Sequence, residues 1–150
     1  QESPQGAILA ASDPDGSAIV WHGTRSGWFL ISGRARDLRP LLAQGSSLEL
    51  RYRVDRLPEH SVKLGLRCTE SNCGSEVGAM RDVTGVFKNG AAGSWQTLSI
   101  PLSCFAAKGA SLASVEVPLA IETSGRFGLT ISEVNLAQKT APEPTCPGAI

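Results

Sequence analysis

The chain has 150 residues, the usual length of one domain, and its 14 Lys and Arg balance its 14 Asp and Glu. Without net charge it creates no field that would attract nucleic acid or anionic lipid, so neither partner is expected. Its 16 Gly and 9 Pro interrupt every apolar run far short of a membrane span. We therefore expect one soluble domain over residues 1–150, with a core at about 7–137 and a tail at 138–150.

The N-terminal third begins without the basic and apolar segments of a signal peptide, so we expect a mature protein or an excised domain. Residues 13–17 (DPDGS) predict a turn; the alternative is a structural Ca²⁺ ion bound by its oxygens, and no other cofactor or metal is expected. Apolar runs at 18–21 and 28–31 predict two strands, joined by a loop over 22–27.

Strict alternation of apolar and polar residues predicts further strands at 47–55, 62–67, 97–103, 115–122 and 127–136. In the last run, a one-residue shift at Ser132 and Glu133 predicts a β-bulge. Helical signal is limited to a turn or two near Leu41 and another near Val83, with Met80 in phase. About seven to nine short strands with half-polar faces predict an all-β fold, a two-sheet β-sandwich of jelly-roll type.

The four cysteines indicate the compartment. Cys68 and Cys73 close a tight loop, and Cys104 and Cys146 remain as a distant pair, the connectivity that we favour among the three that four cysteines allow. Disulfides persist in oxidising surroundings, so a secreted or periplasmic protein is expected. The alternatives are free core thiols or a zinc site, although only Cys68 and Cys73 approach the spacing of zinc ligands.

Catalytic groups are not evident in the sequence. The only histidines, His22 and His60, lie in loop-like segments, and no nucleophile, zinc or phosphate-binding motif is present. Paired carboxylates of a hydrolase would leave no motif, but most acidic residues fall on outward strand positions or in turns, where solvated charge is expected. We predict no catalytic residue.

Aromatic residues decide whether a sugar could bind, because the apolar faces of sugar rings stack on Trp and Tyr. Tyr52, Phe127 and Trp21 fall on the inward phase of their strands and are expected in the core. Trp28 and Trp95 have the better claim to exposure and are candidates for stacking. The alternative is that each caps the end of the sandwich core.

A row of charged residues falls on outward strand positions: Glu49, Arg51 and Arg53, with Lys63 and Arg67 on what we take to be the neighbouring strand. Guanidinium groups can donate hydrogen bonds to sugar hydroxyls, so Arg51, Arg53 and Arg67 are candidate ligand-binding residues. The alternative is an ordinary solvated sheet face.

Several segments together resemble the C-terminal domain of bacterial family 3 glycoside hydrolases of the exo-β-glucanase and β-glucosidase type. They are WQTLSIPLSCF at 95–105, the run AKGASL that follows, LTISEVNL at 129–136, the 68–73 loop and DVT at 82–84. The resemblance covers most of residues 21–136. It implies a galactose-binding-like jelly roll similar to carbohydrate-binding modules, appended to catalytic domains that carry the nucleophile and acid.

Three functions follow from these observations. In the first, the domain is a non-catalytic carbohydrate-binding module that holds β-glucan near the active site of its parent enzyme. In the second, it is a structural module that packs on the catalytic domains of the same chain, which predicts an exposed apolar patch and no groove. The third, a lectin-like or adhesion domain, would be favoured by a calcium site at 13–17.

Overall fold

The computed structural model describes residues 8–13, 16–69, 71–74, 78–89, 92–106, 109–138 and 146. In this part of the chain the elements are β1 (Ile8–Asp13), β2 (Gly16–Ile31), α1 (Arg39–Ala43), β3 (Ser46–Arg56), β4 (Val62–Cys68), a 3₁₀ turn (Ser71–Gly74), β5 (Ala79–Asp82), α2 (Thr84–Asn89), β6 (Trp95–Pro101), α3 (Leu102–Ala106) and β7 (Val115–Gln138). No helix among the described residues is long and apolar enough to cross a membrane.

The strands form one curled antiparallel sheet in the order β1-β2-β7-β3-β6, and β4 joins it by pairing with β7 on one side and β5 on the other. β7 is central because its residues 128–138 pair with β3, whereas its residues 115–123 pair with β4. The sheet therefore has two halves. The first half contains β1, β3, β6, the start of β2 and the end of β7; the second half contains β4, β5, the end of β2 and the start of β7.

The two halves pack face to face around one core, as predicted for a two-layered β-sandwich of jelly-roll type. Tyr52 of β3 and Trp21 of β2 are buried, and so is Phe127, the register partner of Trp21. With Phe87 of α2 they form a chain of aromatic contacts, with successive ring centroids 5.2, 5.5 and 5.1 Å apart from Trp21 to Tyr52. The prediction that these three strand residues face inward is confirmed.

A bend joins the halves. The register between β2 and β7 shifts between Gly23 and Gly27, and Gly125 of β7 pairs with Gly23. Gly125 has a φ of +78°, and a Cβ atom there would lie 2.3 Å from the ring of His60. The left-handed backbone conformation therefore favours glycine at Gly125, and any larger residue would have to displace the exposed side chains of His60 and Glu59.

This bend corrects two strand predictions. Residues 22–27 are not a loop, because β2 runs without interruption from Gly16 to Ile31. The runs at 115–122 and 127–136 are likewise one strand, β7. Pairing between β2 and β7 continues on both sides of the glycines, and the break in register is confined to residues 24–26 of β2 and residue 124 of β7.

The β-bulge prediction is confirmed. Arg51 pairs with Glu133 and Tyr52 pairs with Ile131, which leaves Ser132 as the extra residue of β7. The predicted strand at 97–103 extends two residues too far, because β6 ends at Pro101 and α3 begins at Leu102. Proline has no N–H to continue the ladder of β6.

Both predicted disulfides are present, and the alternatives of free thiols and zinc are excluded because no described cysteine is free. Cys68 at the end of β4 is joined to Cys73 in the 3₁₀ turn, with Cα atoms 5.1 Å apart. Cys104 of α3 is joined to Cys146 across 42 residues of sequence, with Cα atoms 5.6 Å apart. The second bond attaches residue 146 to the body of the sandwich.

Candidate functional site

The outer surface of the first half, here called the first face, brings together three of the predicted binding residues. Trp95 of β6 lies directly opposite Arg53 of β3, and Arg51 is opposite the next outward residue of β6, Thr97. The guanidinium carbon of Arg51 lies 4.4 Å from the centroid of the Trp95 ring, and that of Arg53 lies 5.2 Å from it. Both distances are typical of cation–π contacts.

The arginine side chains of the first face are also bound within the domain. Arg53 donates from Nε to Asp55 Oδ1 at 2.7 Å and from Nη2 to Thr130 Oγ1 at 3.2 Å. Arg51 donates to the hydroxyl of Ser132, the bulge residue, at 3.3 Å. Much of the hydrogen-bonding capacity beside Trp95 therefore serves the sheet itself.

The outer surface of the second half, here called the second face, carries the other tryptophan. Trp28 of β2 is the register partner of Glu122 of β7, and Glu122 is in turn the partner of Lys63 of β4. These side chains point outward because the adjacent residues Phe29 and Leu64 are buried. The guanidinium carbon of Arg67 lies 5.0 Å from the centroid of the Trp28 ring.

A small polar cleft of about 160 Å³ opens on the second face next to this row. Its lining residues all carry polar groups: Ser26, Ser61, Lys63, Glu122, Thr123 and Ser124. The hydroxyl of Thr123 donates to the backbone carbonyl of Ser61 at 2.9 Å and so fixes one wall. Among the described residues, no ion pair within 4.0 Å joins Lys63 to Glu122, although the two face each other across neighbouring strands.

Asp82 of β5 ends the same row, as the register partner of Lys63. Its carboxylate accepts hydrogen bonds from the hydroxyl and the backbone N–H of Thr84, and these bonds, with a smaller contribution from the charge of Lys63, lower the pKa of Asp82. Asp82 is thus engaged in holding the start of α2, whereas Lys63 and Glu122 are directed at the cleft.

A second, larger cleft lies where the two halves separate, with a volume of about 480 Å³. Its walls are mainly apolar and include Ile31 of β2, Leu48 of β3 and Leu136 of β7. Arg36 and Asn135 also line it and provide its polar groups.

Metal binding has no support among the described residues, since they contain no group of three or more His, Cys, Asp or Glu side chains that could hold an ion. Pro14 and Asp15, the middle of the segment proposed for Ca²⁺, lie outside the described residues. Both His22 and His60 are exposed.

A family model described as galactose-binding domain-like, named Exop_C, matches residues 10–136. The chain belongs to this family. The prediction of a galactose-binding-like domain is confirmed, and its fold resembles that of carbohydrate-binding modules. No curated protein sequence matches it significantly.

Solved structures show the same fold. The extra C-terminal domain (X) of exo-1,3/1,4-β-glucanase (ExoP) from a Pseudoalteromonas species is 23% identical, with a TM-score of 0.65 over 95% of this chain and 76% of that one. The whole ExoP enzyme gives 23% identity and a TM-score of 0.69, covering 99% of this chain but 18% of that one. A family 30 carbohydrate-binding module is 15% identical, with a TM-score of 0.68 over 92% and 91% of the two chains.

The family model describes a galactose-binding-like domain, which agrees with the prediction of an accessory, non-catalytic domain. The likeness in structure establishes the fold, and any ligand of this chain must be argued from its own residues.

In this Exop_C-family domain, the predicted binding residues fall into two groups on different faces. Trp95, Arg51 and Arg53 lie together on the first face, while Trp28 and Arg67 lie together on the second. The expectation that Lys63 and Arg67 lie beside the row of Arg51 and Arg53 was wrong. β3 pairs with β6 and β7, and β4 pairs with β5 and β7, so these two consecutive strands belong to different halves.

Of the residues that line the polar cleft, only Lys63 stood out in the sequence. Glu122 occupied an ordinary outward position of the alternating run at 115–122, and Ser26, Ser61 and Ser124 carried no motif. The available signal was weak, because short hydroxyl residues in polar segments are typical of turns. These residues converge because β2 pairs with one side of β7 near the bend and β4 pairs with the other.

Proposed function

We propose that this domain is a non-catalytic, secreted or periplasmic module that holds β-glucan for the catalytic domains of a family 3 glycoside hydrolase of the β-glucosidase or exo-β-glucanase type. The observation that carries the proposal is the pairing of a half-buried, outward tryptophan with guanidinium groups on both faces of the sandwich. Membership of the Exop_C family and the fold shared with the extra domain of ExoP support it.

The chemistry of a glucan suits these surfaces. Each glucose ring presents an apolar face that can stack on indole, and hydroxyl groups that need donors and acceptors at its edge. The chain has equal numbers of acidic and basic residues, which suits a neutral polymer better than a strongly charged one.

Calorimetric titration of the 150-residue chain with laminarihexaose and cellohexaose tests the proposal. We expect saturable binding that is lost in the double variant Trp28→Ala, Trp95→Ala, because both candidate stacking surfaces are then removed. Retention of the fold is checked by circular dichroism. No heat from either sugar at millimolar concentration would contradict sugar binding.

A structural role is the second candidate. It predicts no groove, and the structure has a cleft between its halves, but the walls of that cleft are mainly apolar. Ile31 and Leu136 in its walls are only partly buried, so an apolar side chain of a neighbouring domain could fill it. The predicted exposed apolar patch has little support, since Val20 and Leu57 are the only exposed large hydrophobic residues among those whose side-chain burial the structure describes. This candidate predicts that deleting residues 1–150 lowers the melting temperature of a parent enzyme, with no sugar binding by the isolated chain.

A further inference from the structure

We infer that the neutral-glucan site lies on the second face, where Trp28 supplies the stacking surface and the polar cleft at Lys63 and Glu122 binds the hydroxyl edge of the same sugar. The Trp95 cluster of the first face, with Arg51 and Arg53, is then a structural feature of the sheet. This inference rests on the proposed function and specifies which of the two candidate surfaces performs it.

The first step of the argument is the placement of the two parts of the site. Trp28 and Glu122 are direct register partners on neighbouring antiparallel strands, which places their Cβ atoms about 4.5–5.5 Å apart. Glu122 lines the cleft, and so does Ser26, two residues before Trp28 on the same side of β2. The indole of Trp28 therefore lies beside the rim of the cleft. One sugar can then stack its apolar face on the indole while its hydroxyl groups reach into the cleft.

The second step concerns which polar groups remain available. No ion pair between Lys63 and Glu122 occurs in the described part of the chain. Both residues line the polar cleft of about 160 Å³. A carboxylate accepts from hydroxyl groups and an ammonium donates to them, so the two together can bind adjacent hydroxyls of a pyranose. On the first face, by contrast, Arg53 already donates to Asp55 and Thr130.

The third step is the charge around the Trp28 ring and the cleft. There, Lys63 and Arg67 contribute two positive charges, and Glu122 and Asp82 contribute two negative charges. Such a balanced surface gives no general preference for an anion, so a neutral glucan fits it and a uronate or sulfated polymer does not. Arg67, which lies against the Trp28 ring, is a positioning residue that holds the indole beside the cleft.

The test is calorimetry of the 150-residue chain with laminarihexaose, cellohexaose and, as an anionic probe, an oligogalacturonate. We expect Trp28→Ala and Glu122→Gln each to weaken binding of the neutral sugar about tenfold or more, while Trp95→Ala leaves it within about twofold. Glu116→Gln is the matched control, because Glu116 is an exposed glutamate on the same strand that does not line the cleft. Glu122→Gln changes a single heavy atom, so its effect does not depend on a change of shape.

Each outcome decides one question. Loss of binding in Trp95→Ala with retention in Trp28→Ala would overturn the inference and leave the proposed function intact. Equal loss in Glu122→Gln and Glu116→Gln would overturn the role of the cleft. Stronger binding of the oligogalacturonate than of the neutral sugars would overturn the ligand class. An absence of binding by the unmodified chain would overturn the proposed function itself, and the inference with it.

Discussion

The two faces of the sandwich contain the same kind of contact, an indole with a guanidinium against it, yet their surroundings differ. Beside Trp95, Arg53 is bound to Asp55 and to the buried Thr130. Beside Trp28, the polar side chains surround an open cleft. The two contacts therefore differ in their polar neighbours: those beside Trp95 are bound within the sheet, whereas those beside Trp28 line an open cleft.

A substitution at Gly125 should disturb this arrangement most, because the bend at this residue places the two faces on different halves of the sheet. Gly125→Ala should lower the free energy of unfolding by about 2–4 kcal/mol, since a left-handed φ is unfavourable for alanine and its Cβ would meet His60. Urea denaturation measures the loss. Gly45 has the same φ of +78° and no atom within 4 Å of its Cβ position, so Gly45→Ala should cost only about 1 kcal/mol. Equal losses would show that the contact with His60 is unimportant.

The arginines provide a direct comparison of the faces. Arg53→Met should cost about 1–2 kcal/mol of stability, because it removes hydrogen bonds to Asp55 and Thr130 as well as the contact with Trp95. Arg67→Met should cost about 0.5 kcal/mol, because it loses chiefly the contact with Trp28. Chemical denaturation of the two variants side by side checks this order. A larger loss for Arg67→Met would reverse our assignment of the structural face.

Alternation in the sequence was sufficient to predict which residues face inward. Tyr52, Trp21 and Phe127 were assigned to the core on this pattern alone, and all are buried. The pattern could not reveal which strands are neighbours, since it has the same period in every pairing. Residues Arg53 and Lys63, close in sequence and both outward, consequently appeared to share a surface that the structure divides between two halves.

For the candidate site, the sequence likewise indicated single residues but not which residues lie next to one another. Trp28 stood out because it begins a predicted strand, and Trp95 because it lies two residues before another strand on the outward phase. Both are half-buried in the structure. Their different surroundings depend on long-range pairing that no local pattern encodes. Ser61 and Glu122, for example, meet at one cleft although they are far apart in the sequence.

The smallest effect concerns the charged row of the second face. The pKa of Asp82 is lowered in the folded protein by hydrogen bonds from Thr84. Its contribution to stability is therefore complete above about pH 4, the ordinary pKa of aspartate, and is lost as the pH falls through the lowered value. Asp82→Asn should cost less than about 1 kcal/mol at pH 7, because the carboxylate is exposed, and the cost should shrink on acidification.

Thermal unfolding of Asp82→Asn across this pH range measures the effect, with Glu116→Gln as a control for loss of one negative charge. A difference from the unmodified protein that stays constant between about pH 7 and about pH 3 would show that ionisation of Asp82 does not support α2.

The central position of β7 has a consequence for how the domain is made. β2, β3 and β4 all pair with β7, yet β7 is the last of the described strands along the chain. During synthesis, only the β1–β2, β4–β5 and β3–β6 pairs can form before residues 115–138 leave the ribosome. The sandwich therefore closes late and through contacts between distant residues, which makes its folding slow.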